Sequence, residues 1–433
     1  MSNPTTPEPA AEVSAAAASA TPEQPKVRAG FITLLTLGVF GVYLAFVTPI
    51  AISLAIRVNA LAPENPEYLG VVLSLGSVAG LITGPLGGVL SDHTRSRFGR
   101  RRPWLVGSSL VGLVGLAIMA ASPAIVGLAI GWIIAAAGLN LTSNTFLTVQ
   151  ADRLPESQRG KVAAITGFAT MVAPVVGAVI GGMVADQPYV LFLAPGVVAI
   201  ILVLGFCAYY KEPDTRALVH DERLTIGRVL SKYVFNPKRY SDYGWNWLGR
   251  FLFFFGLTLN TSYTAYYFAS RLDVTVAEVG GAVATVGGVG VLATIIGVFF
   301  GGFLSDKLKR RKIFVLGAGV LFALGSLVTL TATDLTLLMV GALLANIAIG
   351  VYSAVDQALV LDVLPERDTD AARYVNIMAL ANGIPQALAP LAAAGLLALA
   401  TVGGERPYWL LYLGAAVFTV VAGFVILRVK SVR

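Results

Sequence analysis

Residues 350–362 read GVYSAVDQALVLD, and Asp356 stands alone as an acid well inside an apolar run. An aspartate at the centre of a membrane-spanning helix costs roughly 2.5–3.5 kcal/mol on insertion scales, so it is a functional candidate by default. A carboxyl in such a place is suited to taking up and releasing a proton near neutral pH. The alternative role is a gate or packing residue near the cytoplasmic end, paired with Arg250 or with a loop base. Other polar residues recur at helical spacing in equally apolar runs. Asn346, Ser353 and Gln357 share a face at steps of seven and four, and Asn140, Asn144 and Thr148 follow one another at steps of four. In RFLFFFGLTLNTSYTAYYFASR, residues 250–271, Asn260, Tyr263, Thr264 and Tyr267 share a face. Asn382 and Gln386 do so beside Pro385 and Pro390, and Tyr43 adds a single ring in the first run. Amides and hydroxyls bond the hydroxyl groups of a polar solute, and aromatic rings cover its apolar faces. The span-four stripe is read as a cavity lining in preference to bonding between helices. Tyr267 serves equally well in an aromatic belt at the outer interface.

This inventory binds and exchanges protons but does not break bonds. No span holds paired carboxylates, a serine–histidine pair or metal-ligand spacing, and His93 and His220 both lie in loops. No phosphate-binding Gly-x-x-x-x-Gly-Lys-Ser/Thr run is present, which excludes a nucleotide-driven pump. Neither an enzyme, a cofactor nor a metal site is expected.

The elements that position these residues follow from composition. The 433 residues are 56% hydrophobic and 13% charged, against about a quarter charged in soluble domains. A bilayer core of about 30 Å takes roughly 20 apolar helical residues to cross. Twelve such spans are placed at 31–57, 68–91, 103–122, 124–150, 161–184, 189–210, 245–270, 277–304, 312–332, 334–361, 372–399 and 407–428. The class is an all-α integral membrane protein. The net charge of +7 does not indicate nucleic acid, because the basic residues are scattered over short loops. Twenty-eight lysines and arginines fall on one side of the membrane, and only Arg57, Arg271 and Arg406 on the other. By the positive-inside rule both termini are cytoplasmic. Arg57 is read as snorkelling to the interface, Cys207 as a packing residue, and Gly177 with Gly181 as a close helix contact.

The chain repeats itself. GGVLSD at 87–92 returns as GGFLSD at 301–306, and ADRLPE at 151–156 returns as LDVLPE at 361–366. The expected organisation is a disordered cytoplasmic tail (1–29), a six-helix bundle (30–210), a cytoplasmic linker (211–244) and a second bundle (245–433). LTIGRVLSKYVF in the linker is either an amphipathic helix on the inner leaflet or a plain tether. Two parallel six-helix repeats around a midplane site are a transporter architecture.

Between spans two and three lies SDHTRSRFGRRRPW, residues 91–104, with five arginines. An aspartate closing span two, followed by GRR, resembles the major facilitator superfamily. The full loop is similar to that of the sucrose–proton symporters and their animal and bacterial relatives, near the glycoside–pentoside–hexuronide group. Thr48–Pro49 and Ala151–Asp152 are also similar to that group. The resemblance implies the major facilitator fold, two six-helix bundles related by a pseudo-two-fold axis, with alternating access to a midplane site. It implies a sugar or glycoside as substrate and protons as the coupling ion. It also implies a cytoplasmic latch, expected at Asp92, Arg95, Gly99, Arg100, Arg101 and Asp152, with Asp306, Arg310 and Asp362 as counterparts in the repeat. One departure matters. The sucrose symporters typically carry an aspartate and an arginine inside span four, and those positions hold Ala136 and Leu147 here, while Asn140 matches.

The reading is a secondary transporter in a bacterial cytoplasmic membrane, multi-pass and monomeric. Its partners are a small-molecule substrate, protons, and anionic lipid headgroups at the basic loops. The alternative is proton-coupled efflux of amphipathic, drug-like compounds, because APVVGAVIGG at 173–182 weakly resembles the span-five motif of drug–proton antiporters, with Ala173 in place of a glycine.

Overall fold

The computed structural model describes residues 26–216, 235–366, 370–401 and 406–432. Most of the expected N-terminal tail and the amphipathic linker stretch lie outside them. Twelve helical spans follow in order: α1 (Ala29–Leu61), α2 (Tyr68–Asp92), α3 (Arg102–Ala121), α4 (Ile125–Arg153), α5 (Glu156–Met183), α6 (Pro188–Tyr209), α7 in two pieces (Ser241–Thr261 and Thr264–Leu272), α8 (Gly280–Leu308), α9 (Arg311–Thr331), α10 (Leu335–Asp362), α11 (Ala371–Ala400) and α12 (Trp409–Ile426). Ten are long and apolar enough to cross a bilayer by length and composition. In α2 the qualifying apolar stretch is shorter, Tyr68–Gly84, and α7 carries Asp242 and Arg250 in its cytoplasmic half. Helices are required here because hydrocarbon offers no partner to an open backbone N–H or C=O.

Two spans differ from the expected plain helices. In α1, residues Pro49–Ser53 form a π-turn. Proline lacks the N–H for the i→i−4 bond and its ring crowds the preceding carbonyl, so the ladder shifts at that point. Span seven is interrupted at Ser262–Tyr263 and begins four residues earlier than the apolar pattern, at Ser241.

Helices α1 to α6 pack among themselves through α1 on α5 and α6, α3 on α4 and α6, and α2 on α4. Helices α7 to α12 repeat the scheme through α7 on α11 and α12, α9 on α10 and α12, and α8 on α10. The halves meet along α2–α11 and α5–α8. Small residues set these distances. A Cβ on Gly177 would lie 2.0 Å from the Thr48 hydroxyl, and one on Gly181 would lie 2.7 Å from Ile52, so the Gly-xxx-Gly pair seats α5 on the turn of α1. Between the halves, a Cβ on Gly182 would lie 3.0 Å from the Gly280 Cα.

Candidate functional site

The hydrogen bonds observed across the halves cluster at the outer ends of the helices. The Tyr263 hydroxyl accepts from the Gly70 N–H (3.0 Å) and donates to the Glu67 carbonyl (3.1 Å). Tyr266 donates to the Ala55 carbonyl (3.2 Å), and Arg406 donates to the Glu64 carbonyl. Tyr263 and Tyr266 are buried, and a Cβ on Gly70 would meet the Pro390 carbonyl and the Tyr263 hydroxyl. This conformation is sealed on the outer side. Tyr267 donates to the Thr329 carbonyl (2.8 Å) and accepts from Arg271 (3.0 Å). Tyr263 and Tyr267, expected to offer hydroxyls to a solute, are therefore committed to backbone carbonyls in this state. Tyr263 lies at the interruption of span seven, and Tyr267 bonds within its own half.

Arg57 donates to the Ser122 carbonyl at the outer end of α3 (2.6 Å). Arg271 does the same to Leu330 at the end of α9 (3.2 Å), so the two halves use the same outer clamp.

The polar stripes divide into two groups. Asn144 donates to the Asn140 backbone carbonyl (2.9 Å) and side-chain oxygen (2.7 Å), and Thr148 donates to the Asn144 carbonyl (2.9 Å). This half-buried ladder faces Gly80 and Gly84 of α2, where a Cβ would come within 3.0 and 3.4 Å of the amides. Asn260 donates to Ser326 on α9 (2.9 Å), and Thr264 bonds back to its own helix. Asn346 accepts from Thr294 on α8 (3.2 Å) and lies against Gly290. Asn260 and Asn346 thus bond across to neighbouring helices, while the Asn140–Asn144–Thr148 ladder bonds within α4. Ser353, Gln357 and Gln386 instead remain exposed, with Asn382 half-buried and bonded to Gln386 (2.7 Å). An exposed amide at membrane depth belongs in a water-filled space. Tyr43 is half-buried against the apolar core of the first half. Ala136 is core and Leu147 is exposed, which leaves span four without an ionisable group at those positions.

Asp356 and Arg250 form a buried ionic pair within the second half. Arg250 Nη1 lies 2.8 Å from Asp356 Oδ2, with side chains 17% and 5% exposed. Phe253 stacks on Tyr352 one turn away (3.6 Å between ring centres), and Phe254 lies under the guanidinium (5.6 Å). At that burial the pair is screened little by water, and losing either partner strands the other's charge. A proton on Asp356 therefore changes the whole local balance.

Two charge clusters stand at the cytoplasmic ends of the halves. In the first, Arg101 is 2% exposed, and its Nη2 lies 2.6 Å from Asp92 and 3.1 Å from Asp152. Its Nη1 donates to the Ser91 hydroxyl (2.5 Å), and Arg100 joins Asp152 (3.0 Å). Glu212, at the start of the linker, accepts from the backbone N–H of Arg101 (2.8 Å) and Arg102 (3.2 Å) at the N-terminus of α3. Gly99 has φ +87°, and a Cβ there would lie 2.1 Å from Glu212 Cβ, so glycine is needed for both conformation and room. Burial pushes the Tyr210 phenol up to about 12. It therefore stays protonated and donates to Glu212 (3.1 Å) while accepting from Arg153 (3.3 Å). In the second cluster Arg311 pairs with Asp362 (2.5 Å) and Asp306 (3.8 Å). Two expected members lie elsewhere. Arg95 is exposed and outside the ion pairs, and Arg310 is exposed at the N-cap of α9, one residue before the arginine that pairs with the acids. Arg311 was legible as the counterpart of Arg101 through the 210-residue offset of the second motif. Glu212 carried no sequence signal.

Comparison with known proteins places this geometry. The model of the Major Facilitator Superfamily matches residues 29–293 and 247–433. A general alpha-glucoside permease of Schizosaccharomyces pombe is 34% identical over 95 residues, 21% of this chain and 16% of the permease. Plastidic glucose transporter 4 of Arabidopsis thaliana is 37% identical over 101 residues, 23% of this chain and 18% of the transporter. A membrane-associated transporter protein of Mus musculus is 32% identical over 111 residues, 24% and 19% of the two chains. The alignments thus span under a fifth of each relative. Among solved structures, a nucleoside transporter superposes with TM-score 0.75 at 12% identity, covering 92% of this chain and 99% of that one. A D-xylose–proton symporter does so with TM-score 0.69 at 16% identity, covering 93% and 98%. At these identities the likeness is one of fold.

Proposed function

The chain belongs to the major facilitator superfamily, and from that premise we propose that it carries a sugar or glycoside into the cytoplasm together with protons. Transport of a small solute by a membrane-spanning, non-enzymatic protein follows from the family. The sugar, the coupling ion and the bacterial plasma membrane are the reading proposed here. Relatives named as glucoside and glucose carriers support the substrate class. The exposed amides and hydroxyl of Ser353 and Gln357 on α10 and of Gln386 on α11, which packs against the first half, suit a polyhydroxylated solute. The observation that carries the coupling is the buried Asp356–Arg250 pair. Span four lacks the carboxylate and arginine of the sucrose symporters, and α7 with α10 supplies one of each.

In this reading the outer seal through Tyr263 holds the inward-facing state. The Asp92–Arg101–Asp152 and Asp306–Arg311–Asp362 clusters are the latch parts that meet the opposite half when the cytoplasmic side closes.

The test is uptake into proteoliposomes of a panel of labelled mono- and disaccharides under an imposed pH gradient, with and without a protonophore. Accumulation of at least one sugar that the protonophore abolishes is expected. Failure with every sugar, together with resistance of expressing cells to amphipathic toxins, would replace import with export.

A further inference from the structure

We propose that Asn246 is a second acceptor for the Arg250 guanidinium, engaged when Asp356 carries a proton. The inference rests on the proton-coupled reading above and adds a positioning residue to it.

The side chain of Asn246 has no exposed surface, yet neither its carboxamide oxygen nor its nitrogen has a hydrogen-bond partner. Buried side-chain amides are nearly always bonded, and an orphan in a native core calls for an explanation. Asn246 lies one helical turn before Arg250 on α7, on the same face. Helical side chains lean toward the N-terminus, so Arg250 reaches back over the turn that holds Asn246. The guanidinium uses Nη1 for Asp356, and its Nε–H is buried and unpartnered. An orphan acceptor and an orphan donor thus sit one turn apart beside an ion pair.

The chemistry of the pair supplies the reason. When cytoplasmic water delivers a proton to Asp356, the carboxylate becomes neutral and Arg250 stays a cation. A buried guanidinium without an acceptor is strongly disfavoured. The carboxamide oxygen of Asn246 accepts a charge-assisted bond from it at that moment, and releases it when Asp356 ionises again. Arg250 then has two docking positions, on α10 and on α7, and its position reports the protonation state of Asp356 to span seven. That span carries the outer seal through Tyr263.

The Tyr352 hydroxyl, buried and without a hydrogen-bond partner, is the nearest competing acceptor. On its own helix, Asp356 faces Tyr352 one turn away, and span seven also brings Tyr243. The Tyr243 hydroxyl is committed to the Tyr374 carbonyl of α11 (2.7 Å). Val315 and Phe322 of α9 and Ile426 of α12 belong to the apolar cluster that also holds Phe253, Tyr352 and Val355.

The test follows the carboxylic-acid C=O stretch of the full-length protein in nanodiscs by infrared difference spectroscopy across pH, with no substrate added. Asp356→Asn identifies the band that belongs to Asp356. In Asn246→Leu, of similar size with no acceptor, protonation strands Arg250, and the pH at which the band is half-developed falls by about one unit, roughly tenfold in proton affinity. Asn246→Asp offers a charged acceptor and moves that pH upward. Asn246→Ala repeats the downward shift if the leucine variant fails to fold. The downward shift in the leucine variant carries the assignment, because removing a merely structural amide would not lower the proton affinity of Asp356, and the upward shift in the aspartate variant checks the sign. A band that titrates alike in all variants, or shifts the same way in both, overturns it while leaving the coupling reading intact. A wild type with no titrating Asp356 band overturns both.

Discussion

The two cytoplasmic charge clusters are built from the same three charges and hold them differently. Asp92, Arg101 and Asp152 in the first half correspond to Asp306, Arg311 and Asp362 in the second. Arg101 is 2% exposed and Arg311 is 25% exposed. Ser91 bonds Arg101, whereas its counterpart Ser305 has a buried hydroxyl with no partner. The cause is local. The first loop is longer between aspartate and arginine doublet, and Glu212 of the linker fills the space that this extra length opens. Even the left-handed position is shared: Gly99 has φ +87° and Lys309, at the matching place, has φ +51°. The first half needs glycine there because Glu212 leaves no room. The second half tolerates a lysine because nothing packs against it. Repeated motifs therefore do not carry repeated energetics. The first cluster is welded to the linker, and the second is free to rearrange.

Arg101→Ala strikes that difference hardest. It leaves Asp92 and Asp152 only the more exposed Arg100, and the loss is about 3 kcal/mol of stability by thermal unfolding in detergent. Arg311→Ala, in a partly solvated pair, costs under about 1 kcal/mol by the same measurement. Equal losses would erase the distinction between the clusters. Gly99→Ala comes next, at about 1–3 kcal/mol for a left-handed alanine that also collides with Glu212. Limited trypsin cleavage at Lys211 or Arg216 should then accelerate, and unchanged cleavage would mean the linker is not held by this contact. Glu212→Gln removes the charge from two helix-N-terminal amide bonds and costs about 1 kcal/mol in the same unfolding assay. The smallest effect runs the other way. Lys309→Gly relieves a left-handed lysine and raises stability by about 0.5–1 kcal/mol, and a loss there would contradict the reading of the second loop as unfilled.

The spans were legible to within a few residues because a bilayer imposes length and hydropathy on every helix. The interruption at Ser262–Tyr263 was not, since a serine–tyrosine step carries no glycine or proline to announce it. Asp356 was legible because an acid in an apolar run is costly, and Arg250 was already named as its alternative partner. The stripes were legible as polar faces but not as to what they face. Asn140 and Asn144 meet the glycines of α2, and Asn260 meets Ser326, contacts set by helix rotation that periodicity alone does not define. The hydroxyls of Tyr263 and Tyr267 meet backbone carbonyls in this state for the same reason: a ring with a hydroxyl suits a solute and a backbone carbonyl equally well. Glu212 and Asn246 escaped notice because a linker carboxylate and a single amide near a helix start are unremarkable until their surroundings are seen.

The claim at the centre of this account is that Asp356 couples solute movement to protons. Its most direct test compares wild type and Asp356→Asn in proteoliposomes, measuring both gradient-driven accumulation and solute exchange with no gradient. The account predicts that Asp356→Asn loses accumulation while retaining exchange. Accumulation at the wild-type level in that variant would contradict it.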